Sequence, residues 1–108
     1  MIDIKKEAIA AEKRIRPYIR ETPLEDAFHL SEIAGCNAVL KLENLQQTGS
    51  FKLRGAMNKL LSLTPEEKTA GVVAASTGNH GLAVAYGLNR LDITGSIFLP
   101  KNVSPQKL

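Results

Sequence analysis

A chain of 108 residues that is 44% apolar and 23% charged has the makings of one small folded unit with a modest core, and is too hydrophobic for a disordered segment. Its formal charge of +3 comes from basic residues interspersed with acidic ones, and its aromatics are only Phe28, Phe51, Phe98, Tyr18 and Tyr86, so a nucleic-acid-binding stripe or base-stacking platform has no support. The single cysteine excludes an internal disulfide or a CxxC pair, no apolar run reaches the length of a membrane span, and the first residues lack the apolar core of a signal peptide; the expectation is a cytoplasmic protein that binds neither membrane nor nucleic acid.

Asp3 is placed to cap a first helix in which Ile4, Ala8, Ala11 and Ile15 recur at helical spacing, and Pro17 ends or kinks it. Residues 20–24 read as an extended crossing, because the residue before Pro23 avoids the helical region. A short helical piece at residues 31–34 stops at Gly35, and Cys36, in the turn that follows, reads as a small apolar filler. Residues 39–43 alternate apolar and polar, which predicts a strand. After the polar loop Gln46-Gln47-Thr48-Gly49-Ser50, the positions Leu53, Ala56, Met57, Leu60 and Leu61 form the stripe of an amphipathic helix. Thr64-Pro65-Glu66-Glu67 is a cap, a proline at the first helical position and a capping-box acid, so a further short helix is expected.

The run Gly71-Val72-Val73-Ala74-Ala75 has strand length and no polar alternation, the pattern of a strand covered on both faces. A small-residue helix follows from about residue 80 to 89, within which Gly87 reads as a site of close packing. Gly95-Ser96-Ile97-Phe98-Leu99 is another predicted strand, closed by Pro100, and Ser104-Pro105 again resembles a cap and first helical position. Strand and helix alternating in this order predict an α/β fold with an open parallel sheet and flanking helices. A helix begun at Ser104 has no room to form, and so small a parallel sheet leaves its edges unprotected; the chain is therefore expected to be the N-terminal part of a longer protein.

Two stretches carry chemistry. In Gly49-Ser50-Phe51-Lys52-Leu53-Arg54-Gly55-Ala56 a lysine stands between an aromatic and a leucine at the head of a helix. Apolar burial, the positive end of the helix dipole and a second cation at Arg54 would each disfavour its ammonium form, and a lysine held as the free amine can add to an aldehyde. The plainer alternative is a lysine whose stem packs on apolar neighbours while its head reaches water. In Ser76-Thr77-Gly78-Asn79-His80-Gly81 a buried strand runs into a helix, where unsatisfied N–H groups, a glycine that permits close approach and the helix dipole suit a small carboxylate or phosphate. Ser, Thr and Asn also cap helices with no ligand involved, and His80 alone is as well explained by a structural role. His29 reads as a surface or packing residue, and no metal-ligand spacing is present.

Taken together, the run Lys41-Leu42-Glu43-Asn44-Leu45-Gln46-Gln47-Thr48-Gly49-Ser50-Phe51-Lys52-Leu53-Arg54-Gly55-Ala56 and the later Ala75-Ser76-Thr77-Gly78-Asn79-His80-Gly81 resemble the fold-type II pyridoxal-phosphate enzymes, and within them the threonine/serine dehydratase and serine racemase branch. The resemblance extends from Thr22 to the region of Pro100. It implies the N-terminal portion of a two-domain enzyme, with about residues 1–48 contributing to the large domain and about 49–108 to a smaller α/β domain. It also implies pyridoxal 5'-phosphate as cofactor, held covalently by Lys52, which then moves the proton at the substrate Cα. Phe51 would pack beside the cofactor and Asn79 would donate to its 3'-oxygen. Ser76, Thr77, Gly78, Asn79 and His80 would grip the carboxylate of a small amino-acid substrate.

The reaction so implied is α,β-elimination, a lyase converting threonine or serine to a ketoacid and ammonia. An amino-acid racemase or a β-replacement enzyme of the same fold is the alternative, and an inactive anion-binding module is the alternative outside enzymes. Thr77 stands where the racemases carry serine and the biosynthetic dehydratases tend to carry alanine, which leaves the branch open. The family's glycine-rich phosphate loop and its pyridine-nitrogen partner come later in its chains. The resemblance implies a homo-oligomer for the full-length protein; the 108-residue chain by itself is expected to be inactive and weak in cofactor binding, and, with its strand edges exposed, poorly soluble.

Overall fold

Asp3 begins the first helix as its sequence predicts: in a computed structural model that describes residues 1–101, its carboxylate accepts the backbone N–H of Lys6 at 3.1 Å and α1 runs over Ile4–Ile15. At Pro17 the helix tightens into a 3₁₀ turn, Arg16–Tyr18, and the chain leaves it extended. Only Ile15 of α1 is buried, while Ile4 is 79% exposed, so the predicted stripe engages the core at the C-terminal end of the helix alone.

The extended segment becomes β1 (Leu24–Asp26), followed by α2 (Phe28–Ala34) and β2 (Val39–Lys41). β1 and β2 pair antiparallel, with Leu24 opposite Lys41 and Asp26 opposite Val39. This corrects the expectation that the strand at residues 39–43 joins a parallel sheet. The extended stretch around Pro23 gives β2 a partner close at hand: Leu42 N–H donates to the Pro23 carbonyl at 3.1 Å, and Ala27 N–H to the Ala38 carbonyl at 3.0 Å. Ser31 closes the other end, its hydroxyl accepting from Ala38 N–H at 2.9 Å and donating to the Ala27 carbonyl at 3.0 Å. The strand ends at Lys41, and Glu43–Leu45 winds into a second 3₁₀ turn. Cys36 and His29 lie on the surface, so the cysteine is exposed and not the filler expected of it.

The second half follows its predicted order: α3 (Lys52–Leu61), α4 (Pro65–Ala70), β3 (Val72–Ala75), α5 (Asn79–Leu91) and β4 (Gly95–Phe98). α4 starts on a complete capping box, with Thr64 Oγ1 accepting from Glu67 N–H at 3.2 Å and Glu67 Oε2 accepting from Thr64 N–H at 2.8 Å. β3 and β4 pair in parallel, from Val72 opposite Gly95 to Ala75 opposite Phe98, with α5 as the crossover between them. Among the described residues the fold is thus α/β with one parallel strand pair, flanked by helices, and a separate antiparallel pair.

The core lies between α3 and α5. Leu53 and Met57 are fully buried, with Ala56 and Leu60 beside them; Ala83, Val84 and Leu88 complete it from α5, and Ile15, Ile19 and Ile93 close its rim. Gly87 has the packing role expected: a Cβ there would stand 2.5 Å from Leu60 Cδ1 and 3.1 Å from Met57 Sδ, so the missing side chain lets the helices come together. β3 is covered on one face only. Val72 and Ala74 are half-buried, while Val73 is 72% exposed, which corrects the expectation of cover on both faces among the described residues. The apparent cap at Ser104-Pro105 lies outside the described residues. Among those residues no helix is long and apolar enough to cross a membrane, and no cluster of three or more metal-ligating side chains occurs.

Candidate active site

The loop that delivers the chain to Lys52 is fastened from behind. Gln46, 3% exposed, accepts from Arg20 N–H at 3.1 Å and donates to the Arg20 carbonyl at 2.8 Å, pairing with the backbone as a neighbouring strand would. Thr48 and Ser50 are buried, and their hydroxyls have no partner among the described residues. A buried hydroxyl without a partner costs free energy that a bound group or a further stretch of protein can return.

Phe51 precedes α3 and Lys52 is the first residue of that helix, whose N-terminus no side chain caps. Lys52 is exposed, with Nζ 5.3 Å from the centroid of the Phe51 ring, within the range of a cation–π contact. This corrects the apolar burial expected of it. On a helix whose inward stripe is Leu53, Ala56, Met57 and Leu60, position 52 falls beside the buried face rather than in it.

Arg54 is also placed differently from the expectation. It does not stand as a free cation beside Lys52: Nε donates to Glu43 Oε2 at 2.9 Å and Nη2 to Glu43 Oε1 at 2.8 Å, a two-toothed ion pair. Thr22 Oγ1 donates to Glu43 Oε1 at 2.6 Å. The hydrogen bonds from Arg54, against the opposing effect of burial and with further help from Thr22, hold the Glu43 carboxyl down to about 2. The same pairing raises Arg54.

A depressed carboxylate stabilises the fold fully above its unfolded value of 4.5, and that contribution is lost as pH falls toward 2. Glu43→Gln is therefore expected to cost about 1–3 kcal/mol at pH 7 and to flatten the stability loss between pH 4.5 and 2, followed by denaturant midpoints across that range. An unchanged acid limb in the variant would show the pair to be stabilising nothing.

Phe51, Lys52, Arg54, Gly55, Ala56 and His80 line one open cavity of about 350 Å³. His80 is the second residue of α5, so the starts of the two helices meet at this cavity. Asn79 is the first residue of α5 and Gly78 the residue before it, with no side chain capping the helix. The reading of residues 76–79 as an ordinary cap is thereby corrected: α1 and α4 are closed by their own side chains, and α5 is not. Ser76 instead turns its hydroxyl to accept from Gly78 N–H at 3.4 Å, and Thr77, Gly78, Asn79 and His80 are exposed. Lys52, Phe51 and His80 share the cavity, whereas Ser76, Thr77, Gly78 and Asn79 form the adjoining loop and helix start and do not line it.

Two residues of this region escaped the sequence reading as site residues. Glu43 binds Arg54 across eleven positions of chain, a separation that no local periodicity reveals. Gly81 permits the first turn of α5 to pass the loop: a Cβ there would lie 2.9 Å from the Ser76 carbonyl oxygen and 3.5 Å from Ile97 Cγ2. Its signal was a glycine inside a helix, which costs about 1 kcal/mol against alanine and so calls for a packing reason.

The donor set suits a carbonyl-bearing, anionic aromatic ligand. A primary amine stands at the cavity, an aromatic ring lies beside it, Ser50 is an orphaned buried hydroxyl two residues away, and α5 leaves its N-terminal N–H groups uncapped.

Comparison with known proteins agrees with this chemistry. A family model described as "Pyridoxal-phosphate dependent enzyme" matches residues 15–108. The chain is 47% identical over 98 residues to the catabolic L-threonine dehydratase TdcB of Staphylococcus aureus, an alignment that takes in 90% of this chain and 28% of that protein. Among solved structures it superposes on serine racemase from Dictyostelium discoideum with a TM-score of 0.86 at 41% identity, covering 94% of this chain and 34% of that one. It superposes on the processed form of threonine deaminase isoform 2 from Solanum lycopersicum with a TM-score of 0.75 at 37% identity, covering 94% and 30%. The chain spans about a third or less of the length of these relatives.

Proposed function

We propose that this chain, which belongs to the pyridoxal-phosphate-dependent enzyme family, serves a lyase that deaminates threonine or serine to a ketoacid and ammonia by α,β-elimination. The observation that carries the proposal is the meeting of Lys52 with the uncapped start of α5 at one cavity. The likeness to a threonine dehydratase and to a threonine deaminase supports this substrate class.

In this reading Lys52 holds the cofactor covalently through Nζ, Phe51 packs beside it and Asn79 donates to its 3'-oxygen. Pyridoxal phosphate, when bound, supplies the electron sink for the pair left as the Cα–H bond breaks. Once the substrate's amino group has displaced it, the freed Lys52 Nζ, which lines the cavity, would take the Cα proton. The N–H groups at the start of α5, with Ser76, Thr77, Gly78 and His80, hold the substrate carboxylate where the helix dipole favours an anion. Gly81 keeps that loop against the helix. The proposal extends to a cytoplasmic homo-oligomer acting on a small amino acid, with residues 1–48 contributing to a larger domain and the remainder to a smaller one.

Racemisation is the second reading, favoured by the likeness to serine racemase. The deciding experiment is to supply the complete protein with L-threonine and L-serine and to follow ketoacid release and D-amino-acid formation side by side. Dominant ketoacid release supports the lyase; D-product without ketoacid would replace it with the racemase.

Within the complete protein, Ser76→Ala and Asn79→Ala should act on different partners. Ser76→Ala is expected to raise KM by the equivalent of about 1–3 kcal/mol, the loss of one hydrogen bond to a charged group. Asn79→Ala is expected to change the cofactor's absorbance before any substrate is added. Equal effects on KM with an untouched spectrum would make residues 76–80 a substrate clamp alone.

A further inference from the structure

Arg54 lines the same cavity as Lys52 and His80, yet its guanidinium is engaged by the Glu43 carboxylate through two hydrogen bonds of 2.9 and 2.8 Å. A forked pair of this kind fixes orientation as well as distance, because both planes must align. Glu43 is itself held. Its Oε1 also accepts from Thr22 Oγ1 at 2.6 Å, and the turn that carries it leads into Gln46, which is bonded at both ends to the Arg20 backbone. The two side chains are 14% and 29% exposed, so the pair is shielded from most solvent. α3 has no side-chain cap, and helix ends left to themselves fray. The fork at Arg54, two residues after Lys52, ties the first turn of α3 to a platform built from two other segments of the chain.

We propose that Glu43 is a positioning residue for Lys52: by gripping Arg54 it fixes the first turn of α3. The proposal rests on the reading of Lys52 as the residue that holds the cofactor and moves the Cα proton. Misplacing a reacting group by about 1 Å costs on the order of a hundredfold in rate, so a tie two residues from that group bears on turnover more than on substrate affinity.

The test uses the complete protein with Glu43→Gln, Arg54→Lys and the double variant. Arg54→Lys keeps the charge and loses the fork. Each single variant is expected to lower kcat per folded site by about 10–100-fold with KM within about threefold, and the double variant to be no worse than the poorer single, because both remove one interaction. Turnover is measured well below each variant's melting temperature, and Glu43→Asp replaces Glu43→Gln if the latter does not fold.

A second readout needs no turnover: the protein is incubated with pyridoxal phosphate, reduced with borohydride and mapped by peptide mass. Labelling of Lys52 is expected to fall about threefold or more in Glu43→Gln, with Lys59 unchanged. Lowered melting temperature with wild-type kcat and wild-type labelling of Lys52 would overturn the proposal and leave the functional reading standing. Absence of label on Lys52 in the unsubstituted protein would overturn both.

Discussion

Lys52→Ala in the complete protein is expected to remove turnover by at least about 10²–10⁴-fold, the range set by losing a proton-transfer group alone, and to abolish the cofactor's long-wavelength absorbance. It is also expected to leave the fold intact. Lys52 is exposed at the first position of α3, where surface substitutions fall within about 0.5 kcal/mol. The positive end of the helix dipole disfavours a cation there while the Phe51 ring favours one, so the two effects offset and the net change should be small. Melting temperature and kcat measured on the same preparation separate the two effects. A variant that loses activity only because it loses stability would point to a structural lysine.

The next residue has the opposite profile. Leu53 is fully buried between α3 and α5, and Leu53→Ala is expected to cost about 2–5 kcal/mol, from lost transfer free energy and the cavity left behind. That is a large share of the roughly 5–15 kcal/mol that holds a typical domain together. Denaturant midpoints should move far while the slope stays constant. A change below about 1 kcal/mol would mean that α3 and α5 can close over the gap, contrary to the tight approach that Gly87 permits. Neighbouring positions on one helix thus differ: residue 52, the proposed carrier of the chemistry, is exposed at little structural cost, and residue 53 is buried in the packing of α3 against α5.

How much of this was legible in the chain depended on whether the cause was local. The stripe of α3 and the capping box at Thr64 follow from spacing within a dozen residues, and the parallel strands from the strand–helix–strand order around α5; each appears where the pattern put it. The candidate site was legible for a related reason: a lysine at a helix start and a Ser-Thr-Gly-Asn run after a strand are short, contiguous signals, and Lys52 and His80 do meet at one cavity. What failed was set by distant chain. The partner of β2 was decided by the extended segment near Pro23, well beyond the reach of local spacing, and the exposure of Val73 by which face of β3 finds cover. The burial of Lys52 was inferred from its flanking residues, but a helix turns adjacent side chains about 100° apart, so apolar neighbours in sequence did not become neighbours in space. Arg54 was read as pressing on Lys52 because the two are close in sequence, whereas Glu43 holds its guanidinium.

Lys52, the first residue of α3, is the proposed reactive group of the site. The most direct test of this is to treat the complete protein with pyridoxal phosphate, reduce it with borohydride and locate the mass increment by peptide mapping. One dominant label is expected, on Lys52, that disappears in Lys52→Ala; a dominant label on Lys41 or Lys59, with Lys52 unmarked, would contradict that assignment.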